Sequence, residues 1–157
     1  MTDTSWPARV AALWDESDEL GDNILLERMD ALVAERSVDD AEAAYEAGSV
    51  RDSIGLEAEA VPYYERALEL GLGEPHLSEL YIQFASTLRN LGRYDEALTV
   101  LDRLPADTEL ADAAAATRAL ILVSAGRPVE GAAVAITALT QHMTRFKRSM
   151  ANYAAEL

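Results

Sequence analysis

Residues 88–101, LRNLGRYDEALTVL, interrupt a helical pattern with a single glycine, Gly92. Apolar residues recur at helical spacing on both sides of Gly92, and the helical pattern resumes at Tyr94. A glycine inside a helix costs about 1 kcal/mol relative to alanine, so its presence here needs a structural reason. We expect Gly92 to close a tight turn between two antiparallel helices.

Glycines recur along the chain at nearly one period. The segments GLEAEAVPYYERALEL at Gly55, GRYDEALTVLDRL at Gly92 and GRPVEGAAVAITAL at Gly126 align without a gap, and their glycines are 37 and 34 residues apart. A step of 34 residues back from Gly55 reaches Gly21, which a helical pattern again follows. The sequence therefore predicts four such turns in an array of helical hairpins.

The remaining sequence also predicts helices. Ala, Leu, Glu and Arg dominate, and β-branched and aromatic residues never alternate over a run. Helix starts are predicted by Ser5 before Trp6-Pro7, by Ser37 with Asp40 as a capping box, and by Pro75 in a first turn.

Length and composition indicate a single domain. A chain of 157 residues is long enough to bury a sizeable core. It has no cysteine, which excludes disulfides, thiolate metal sites and thiol catalysis and fits a reducing compartment. The start lacks the pattern of a signal peptide, and no stretch has the length of a membrane span, so we expect a cytoplasmic protein.

The charge is both acidic and uneven. Residues 1–80 hold 20 Asp and Glu against 5 Arg, whereas residues 81–157 hold 8 acidic and 8 basic residues. The whole net charge of −15 therefore lies in the first half. Such a field repels nucleic acid and anionic lipid and attracts basic partners, although it also serves simply to keep a surface soluble.

These features resemble the tetratricopeptide repeat of short bacterial proteins, a 34-residue unit of two antiparallel helices with small residues where they cross. Around Gly21 the match is poor, because Trp14 stands where the motif has a small residue. The better matches to motif positions are Gly48, Ala60, Tyr64 and Ala67 around Gly55, Tyr81, Phe84, Ala85, Tyr94 and Ala97 around Gly92, and Ala119, Gly131 and Ala138 around Gly126.

The resemblance implies an all-α fold, a right-handed α-solenoid of about nine helices. We expect a degenerate hairpin at residues 7–39, repeats at 41–71, 75–107 and 108–141, and a capping helix at 144–157. In that last segment Phe146, Met150, Tyr153 and Leu157 form one apolar stripe at helical spacing, which favours a cap on the array or a contact with a second subunit.

The resemblance also implies a groove lined by the first helix of each repeat. The places of the family's carboxylate clamp hold Tyr45, Ser49, Gln83, Ala113 and Thr117 instead of Lys, Arg and Asn, which argues against a receptor for chaperone tails. When the groove positions of the family are placed on this sequence, the candidate groove residues are Tyr45, Ser49, Asp52, Ile82, Ser86, Arg89 and Asn90.

Within this set, Arg89 and Asn90 are the strongest candidates. A guanidinium and an amide together can bind a peptide backbone and an acidic side chain. Two alternatives stay open, since Arg89 can instead pair with Asp52, and Tyr45 can pack between hairpins.

Residue patterns for catalysis are absent. His76 and His142 lack a carboxylate at relay or ligand spacing, and no phosphate loop, HExxH sequence or nucleophile elbow occurs. We therefore predict no enzyme, no cofactor and no metal site.

Two functions remain from the sequence. The first is a protein–protein interaction scaffold that binds a peptide or helix of a partner, with a basic partner favoured. The second is a self-associating homodimer in which Arg145, Lys147 and Arg148 pair with Asp15, Asp18 and Glu19 of another copy. Neither function involves nucleic acid or a membrane.

Overall fold

The structure, a computed structural model, describes residues 5–105 and 108–157. In these two ranges the chain forms α-helices, one short 3₁₀ helix and no strand, which confirms the predicted all-α class. The helices are α1 (Trp6–Asp15), the 3₁₀ helix (Ser17–Glu19), α2 (Asp22–Val33), α3 (Ala41–Ser53), α4 (Glu57–Glu69), α5 (His76–Asn90), α6 (Tyr94–Leu101), α7 (Ala111–Ser124), α8 (Pro128–Thr140) and α9 (Lys147–Ala155). The predicted junction between repeats 75–107 and 108–141 falls at residues 106–107, outside the described residues.

Gly92 adopts the left-handed backbone conformation, with φ of 75°. Its amide donates to the carbonyl of Arg89 at 3.0 Å, and the next amide, of Arg93, donates to the carbonyl of Leu88 at 2.8 Å. This is the Schellman arrangement, which satisfies carbonyls that the end of α5 leaves free. Gly55 and Gly126 repeat it with the same pattern of bonds, so these three predicted turns are confirmed.

Gly21 does not form such a turn, and that prediction is wrong. Its φ is −77°, and it serves as the N-cap of α2. The 3₁₀ helix lies between α1 and α2, so the chain does not pass directly from one α-helix to the next. The amides of Glu19 and Leu20 bond to the carbonyls of Glu16 and Ser17 within this short helix. A fourth left-handed glycine, Gly71 with φ of 78°, instead ends α4.

Helix α3 begins at a carboxylate cap. The Asp40 side chain accepts a hydrogen bond from the amide of Ala43 at 3.0 Å and another from Arg36 Nε at 2.8 Å. Ser37, which the sequence suggested as the first residue of a capping box, lies three residues earlier and accepts from the amide of Asp39. Asp40 itself therefore caps the helix, because its short side chain reaches the free amide directly.

The chain divides into two compact units, with unit 1 ending at His76 and unit 2 beginning at Leu77. In unit 1, α1 packs on α2, α2 on α3 and α3 on α4. The Trp6 indole donates to the carbonyl of Leu32 at 2.8 Å, which ties the start of α1 to the end of α2. The apolar core of α1 to α3 consists of Trp6, Val10, Leu13, Leu25, Met29, Ala43 and Val50.

Helix α3 is buried over nine consecutive residues, Ala43–Arg51. Two charged side chains are buried in it, and both have partners. Glu46 accepts a hydrogen bond from the Trp14 indole at 2.8 Å, and Arg51 binds both carboxylate oxygens of Asp30 at 2.9 and 3.0 Å. Burial acts to lower the pKa of Arg51, but the hydrogen bonds and charge of Asp30, with further contributions from Tyr63 and Glu59, outweigh it and raise the pKa.

In unit 2, α6 packs on α7, α7 on α8 and α8 on α9. A Cβ atom on Gly131 would lie 2.9 Å from the Ala119 carbonyl oxygen, so α7 and α8 meet at the small residues predicted for their crossing. The large buried apolar residues of this unit are Leu80, Phe84, Leu88, Leu101, Ile121 and Leu122.

Candidate protein-binding surfaces

One face of α5 carries four of the predicted groove residues. Ile82, Ser86 and Arg89 follow one another at steps of four and three residues and are half-buried, and Asn90 is exposed at the helix end. Arg89 donates to the Asn90 side-chain oxygen at 2.8 Å and makes a long hydrogen bond of 3.5 Å to Ser124 of α7. Neither acceptor is charged, and no carboxylate among the described residues of unit 2 forms an ion pair with the guanidinium.

Beside this face, α7 exposes an apolar stripe. Its residues are spaced three, four and three apart, and both Leu120 and Val123 are more than half exposed. The stripe consists of Ala113, Ala116, Leu120 and Val123. We call the four residues of α5 together with this stripe the inner face of unit 2.

The three predicted groove residues of unit 1 are less accessible. The Tyr45 side chain is only 4% exposed, and its ring stacks on His76 with centroids 5.1 Å apart. Ser49 is buried, and Asp52 is half-buried and accepts a hydrogen bond of 3.4 Å from the Tyr64 hydroxyl. These side chains contribute mainly to internal packing.

Tyr64 lies at the centre of that internal group, and the sequence reasoning did not assign it this role. The ring is fully buried, and a Cβ atom on Gly48 would lie 2.8 Å from it. Burial raises the pKa of the Tyr64 hydroxyl, and the nearby Asp52 carboxylate raises it further. The signal available in the sequence was the pairing of an aromatic motif residue in α4 with a glycine in α3.

The last helix and the turn before it expose a second surface. Phe146, the N-cap of α9, is 71% exposed, and Tyr153 and Leu157 are also largely exposed. In α9 the buried residue is Ala154. Of the predicted apolar stripe, Phe146, Tyr153 and Leu157 are therefore exposed, whereas Met150 is half-buried. We call these exposed residues, with Arg145, Lys147 and Arg148, the C-terminal surface.

The cations of the C-terminal surface have no carboxylate partner in the described part of the chain. Of the 13 Arg and Lys residues, eight form ion pairs there, all of them arginines. Arg145 lies over the Phe146 ring at 5.6 Å, and Lys147 donates to Gln141. Three of the five unpaired cations therefore lie within four residues of each other.

An exposed acidic segment, residues 15–24, lies in unit 1. Of its five exposed carboxylates, Glu16 pairs with Arg28, whereas Asp15, Asp18, Glu19 and Asp22 form no ion pair with another described residue. Ile24, at the end of the segment, is about half exposed at 51%. The segment therefore combines four unpaired carboxylates with one exposed apolar side chain.

Two clefts among the described residues are lined mainly by apolar or ion-paired side chains. A cleft of about 440 Å³ between α7 and α8 is lined mostly by small apolar residues, with Asp112 as its one carboxylate. A second cleft, between α1 and α2, contains Arg9, Arg28 and Glu35, all of which form ion pairs. Residues 5–105 and 108–157 contain no group of three or more His, Asp or Glu side chains placed to hold a metal ion.

None of the helices in the described ranges combines the length and hydropathy needed to cross a bilayer.

Comparison with protein-family models gives one match. Residues 41–157, about three quarters of the chain, match the model described as Tetratrico peptide repeat. The matched segment begins at the first residue of α3 and includes α9. Searches of curated proteins and of solved structures found no match.

Proposed function

Because the chain belongs to the tetratricopeptide repeat family, we propose that it is a non-catalytic scaffold that binds a peptide or helix of a partner protein. Repeats of this kind generally mediate protein–protein interactions by presenting an extended surface. We place this function in the cytoplasm, in keeping with the cysteine-free composition.

The observation that carries the proposal is the inner face of unit 2. An exposed apolar stripe on α7 lies beside Arg89, which forms no ion pair with a described carboxylate of unit 2. Apolar surface gives affinity when it is covered, and a guanidinium selects a carboxylate through paired hydrogen bonds. The proposed ligand is therefore an amphipathic segment with apolar residues on one side and an acidic residue near Arg89.

The predicted groove residues of unit 1 are less accessible than those of unit 2. Tyr45 and Ser49 are buried, so Asp52 is the most accessible of the three predicted residues there. With 20 acidic residues against 5 Arg in residues 1–80, this half favours basic groups on the partner.

Affinity capture followed by titration tests the proposal. Wild type, Arg89→Glu and Leu120→Glu would be immobilised and exposed to a lysate of the source organism, with Arg103→Glu as the control. Arg103 is exposed and forms no ion pair with a described residue, but it lies after α6, outside the inner face.

The protein captured by wild type would then be purified and titrated against each variant. We expect Arg89→Glu and Leu120→Glu to weaken binding at least about tenfold, which corresponds to 1.4 kcal/mol, and Arg103→Glu to leave it unchanged. Equal affinity for all four proteins would contradict a binding site on the inner face.

A second candidate function is self-association through the C-terminal surface. It is favoured by the three unpaired cations at residues 145–148 and by the exposed carboxylates of the acidic segment. Exposed opposite charges attract over a Debye length of roughly 20 Å near 20 mM salt but only a few ångströms near 0.5 M. Light scattering should therefore detect a dimer at low salt that dissociates at high salt, and a monomer under both conditions would rule this function out.

A further inference from the structure

We infer that Phe146 is the apolar anchor by which the C-terminal surface docks onto the acidic segment of a second copy of this chain. This inference rests on the second candidate function. It specifies which side chain supplies the affinity and which segment receives it.

The first reason is the conformation of Phe146. It has φ of 62° and ψ of 10°, a left-handed backbone conformation that is disfavoured for a residue with a bulky side chain. The first turn of α9 maintains it, because the Phe146 carbonyl accepts hydrogen bonds from the Met150 amide and the Ser149 hydroxyl, both at 3.0 Å.

Within one chain, this conformation gains little from burial. The ring is 71% exposed, and the contact identified for it is the Arg145 guanidinium. Tyr153 in α9 and Leu157 after it are also exposed, seven and eleven residues after Phe146. A disfavoured backbone that presents an aromatic ring to solvent suggests a binding role, since burial of the ring in a contact would offset the cost.

The second reason is charge. Arg145, Lys147 and Arg148 surround the Phe146 position in sequence and have no carboxylate partner among the described residues. An apolar ring flanked by cations fits a surface with an apolar side chain flanked by carboxylates. The acidic segment has this composition, with Ile24 two residues after Asp22 and with Asp15, Asp18 and Glu19 before them.

The third reason favours a second copy over the other anionic occupant, a lipid surface. The net charge of −15 repels an anionic bilayer as the chain approaches it. A second copy carries the complementary acidic segment itself and is present at the same concentration. Two copies can also make the contact twice, once in each direction, if they close into a dimer.

A charge-exchange experiment tests the pairing on the full chain. One variant carries Arg145→Glu, Lys147→Glu and Arg148→Glu, and the other carries Asp15→Lys, Asp18→Lys and Glu19→Lys. In each variant alone, the C-terminal surface and the segment at residues 15–24 carry the same sign of charge and repel. In the mixture, each copy's C-terminal surface meets a segment of opposite charge on the other copy. Light scattering at low salt should show a wild-type dimer, two monomeric variants and a dimer again in the mixture.

Phe146→Gly tests the anchor separately. Glycine adopts the left-handed conformation readily, so the melting temperature should stay the same or rise, while self-association weakens at least about tenfold. Val38→Ser removes another exposed apolar side chain, 88% exposed and distant in sequence, and should leave self-association unchanged.

The outcomes separate the two hypotheses. If wild type dimerises but the charge variants and Phe146→Gly dimerise equally well, this inference fails and self-association stands. If both charge variants are monomers and their mixture stays monomeric, the pairing with the acidic segment is wrong. If wild type itself is a monomer at high concentration and low salt, both this inference and the second candidate function fail.

Discussion

At the scale of single residues, the left-handed glycines determine where helices end. Replacing Gly92 by alanine should lower the free energy of unfolding by about 1 to 2 kcal/mol, the usual cost of this conformation for a residue with a Cβ atom. No atom lies within 4 Å of the added Cβ, so the effect would come from the backbone alone. Urea unfolding followed by circular dichroism measures it.

Gly73→Ala is the matched control for that prediction. Gly73 also has open space around it, but its φ is not in the left-handed range. Gly73→Ala should therefore be neutral or slightly stabilising, since alanine restricts the unfolded chain more than glycine does. Equal effects of the two substitutions would contradict the conformational explanation.

Gly48 is required for a different reason, which is space. Alanine there would place its Cβ atom 2.8 Å from the buried Tyr64 ring, and such overpacking typically costs about 1 to 3 kcal/mol. In a Tyr64→Leu background the ring is gone, so Gly48→Ala should become neutral or stabilising. Urea unfolding of wild type, the two single variants and the double variant gives the coupling free energy between the two substitutions. A coupling of zero would exclude the proposed clash.

Asp40 should make stability depend on pH. Burial acts to raise the pKa of its carboxyl group, but the hydrogen bonds from the Ala43 amide and Arg36 outweigh it and lower the pKa. A pKa that is lower in the folded state stabilises the fold above the unfolded value of about 3.9, and this contribution is lost as the pH falls through the folded-state pKa.

Asp40→Asn tests this dependence. Asparagine still caps a helix but carries no charge, so the variant should be less stable than wild type at neutral pH by up to about 1 kcal/mol. The difference should shrink as the pH is lowered below 4. Urea melts at several pH values measure it, with Asp18→Asn as a control, and a difference that is constant with pH would contradict the role of the Asp40 charge.

Some single-residue features were predictable and others were not. Gly55, Gly92 and Gly126 could be found because glycine is the residue that favours the left-handed conformation, so spacing alone identified them. Gly21 shares the spacing but not the conformation, because a 3₁₀ helix intervenes before it. Ser37 and Asp40 both suit an N-cap, and the choice depends on where α3 begins, which local sequence does not specify to the residue.

At the scale of helices, a buried ion pair joins α2 to α3. The Arg51 side chain is 11% exposed and depends on Asp30 for its charge compensation. Asp30→Asn should cost about 1 to 3 kcal/mol, as expected when a hydrogen-bonded charge loses its partner. Urea unfolding measures the loss.

Asp39→Asn serves as the comparison. Asp39 pairs with Arg66, but both side chains are exposed, so this substitution should change stability by less than about 0.5 kcal/mol. Equal losses for Asp30→Asn and Asp39→Asn would show that burial of Arg51 does not matter.

The existence of each helix was easier to predict than the direction in which it faces. Of the predicted apolar stripe Phe146, Met150, Tyr153 and Leu157, Met150 is half-buried and the others are exposed, while Ala154 is the buried residue of α9. Periodicity finds the apolar side of a helix but not whether a neighbour covers it. The same limit applies to Tyr45, since a register places a residue in a row but does not give its rotamer.

At the scale of the whole molecule, the net charge of −15 should make stability rise with salt. Like charges repel in the folded state, and salt screens them. In dilute solution, raising NaCl to about 0.5 M should raise the melting temperature by roughly 3 °C, the equivalent of about 1 kcal/mol for a chain of this size. Differential scanning fluorimetry measures the change.

The variant with Asp15→Lys, Asp18→Lys and Glu19→Lys is the control, because its smaller net charge should give a smaller response. A melting temperature that falls with salt would show that the exposed ion pairs contribute more than the repulsion does.

The uneven charge could be read directly from the sequence, since it is a sum over residues. The accessible part of the inner face could not, because it depends on which side chains of α5 and α7 the rest of the fold leaves uncovered. Arg89 illustrates this difference. Its position on a helix face follows from spacing, but its long hydrogen bond to Ser124 depends on how α5 and α7 approach each other.

The nine consecutive buried residues of α3 have a practical consequence for anyone labelling or engineering this chain. Most helices have a solvent-exposed face where a fluorophore, a cross-linker or an epitope can be attached, but residues 43–51 have none. Its backbone amides should be among the slowest to exchange with deuterium. Probes for unit 1 therefore belong on the outer positions of α4, such as Ala58 or Glu65, which are exposed.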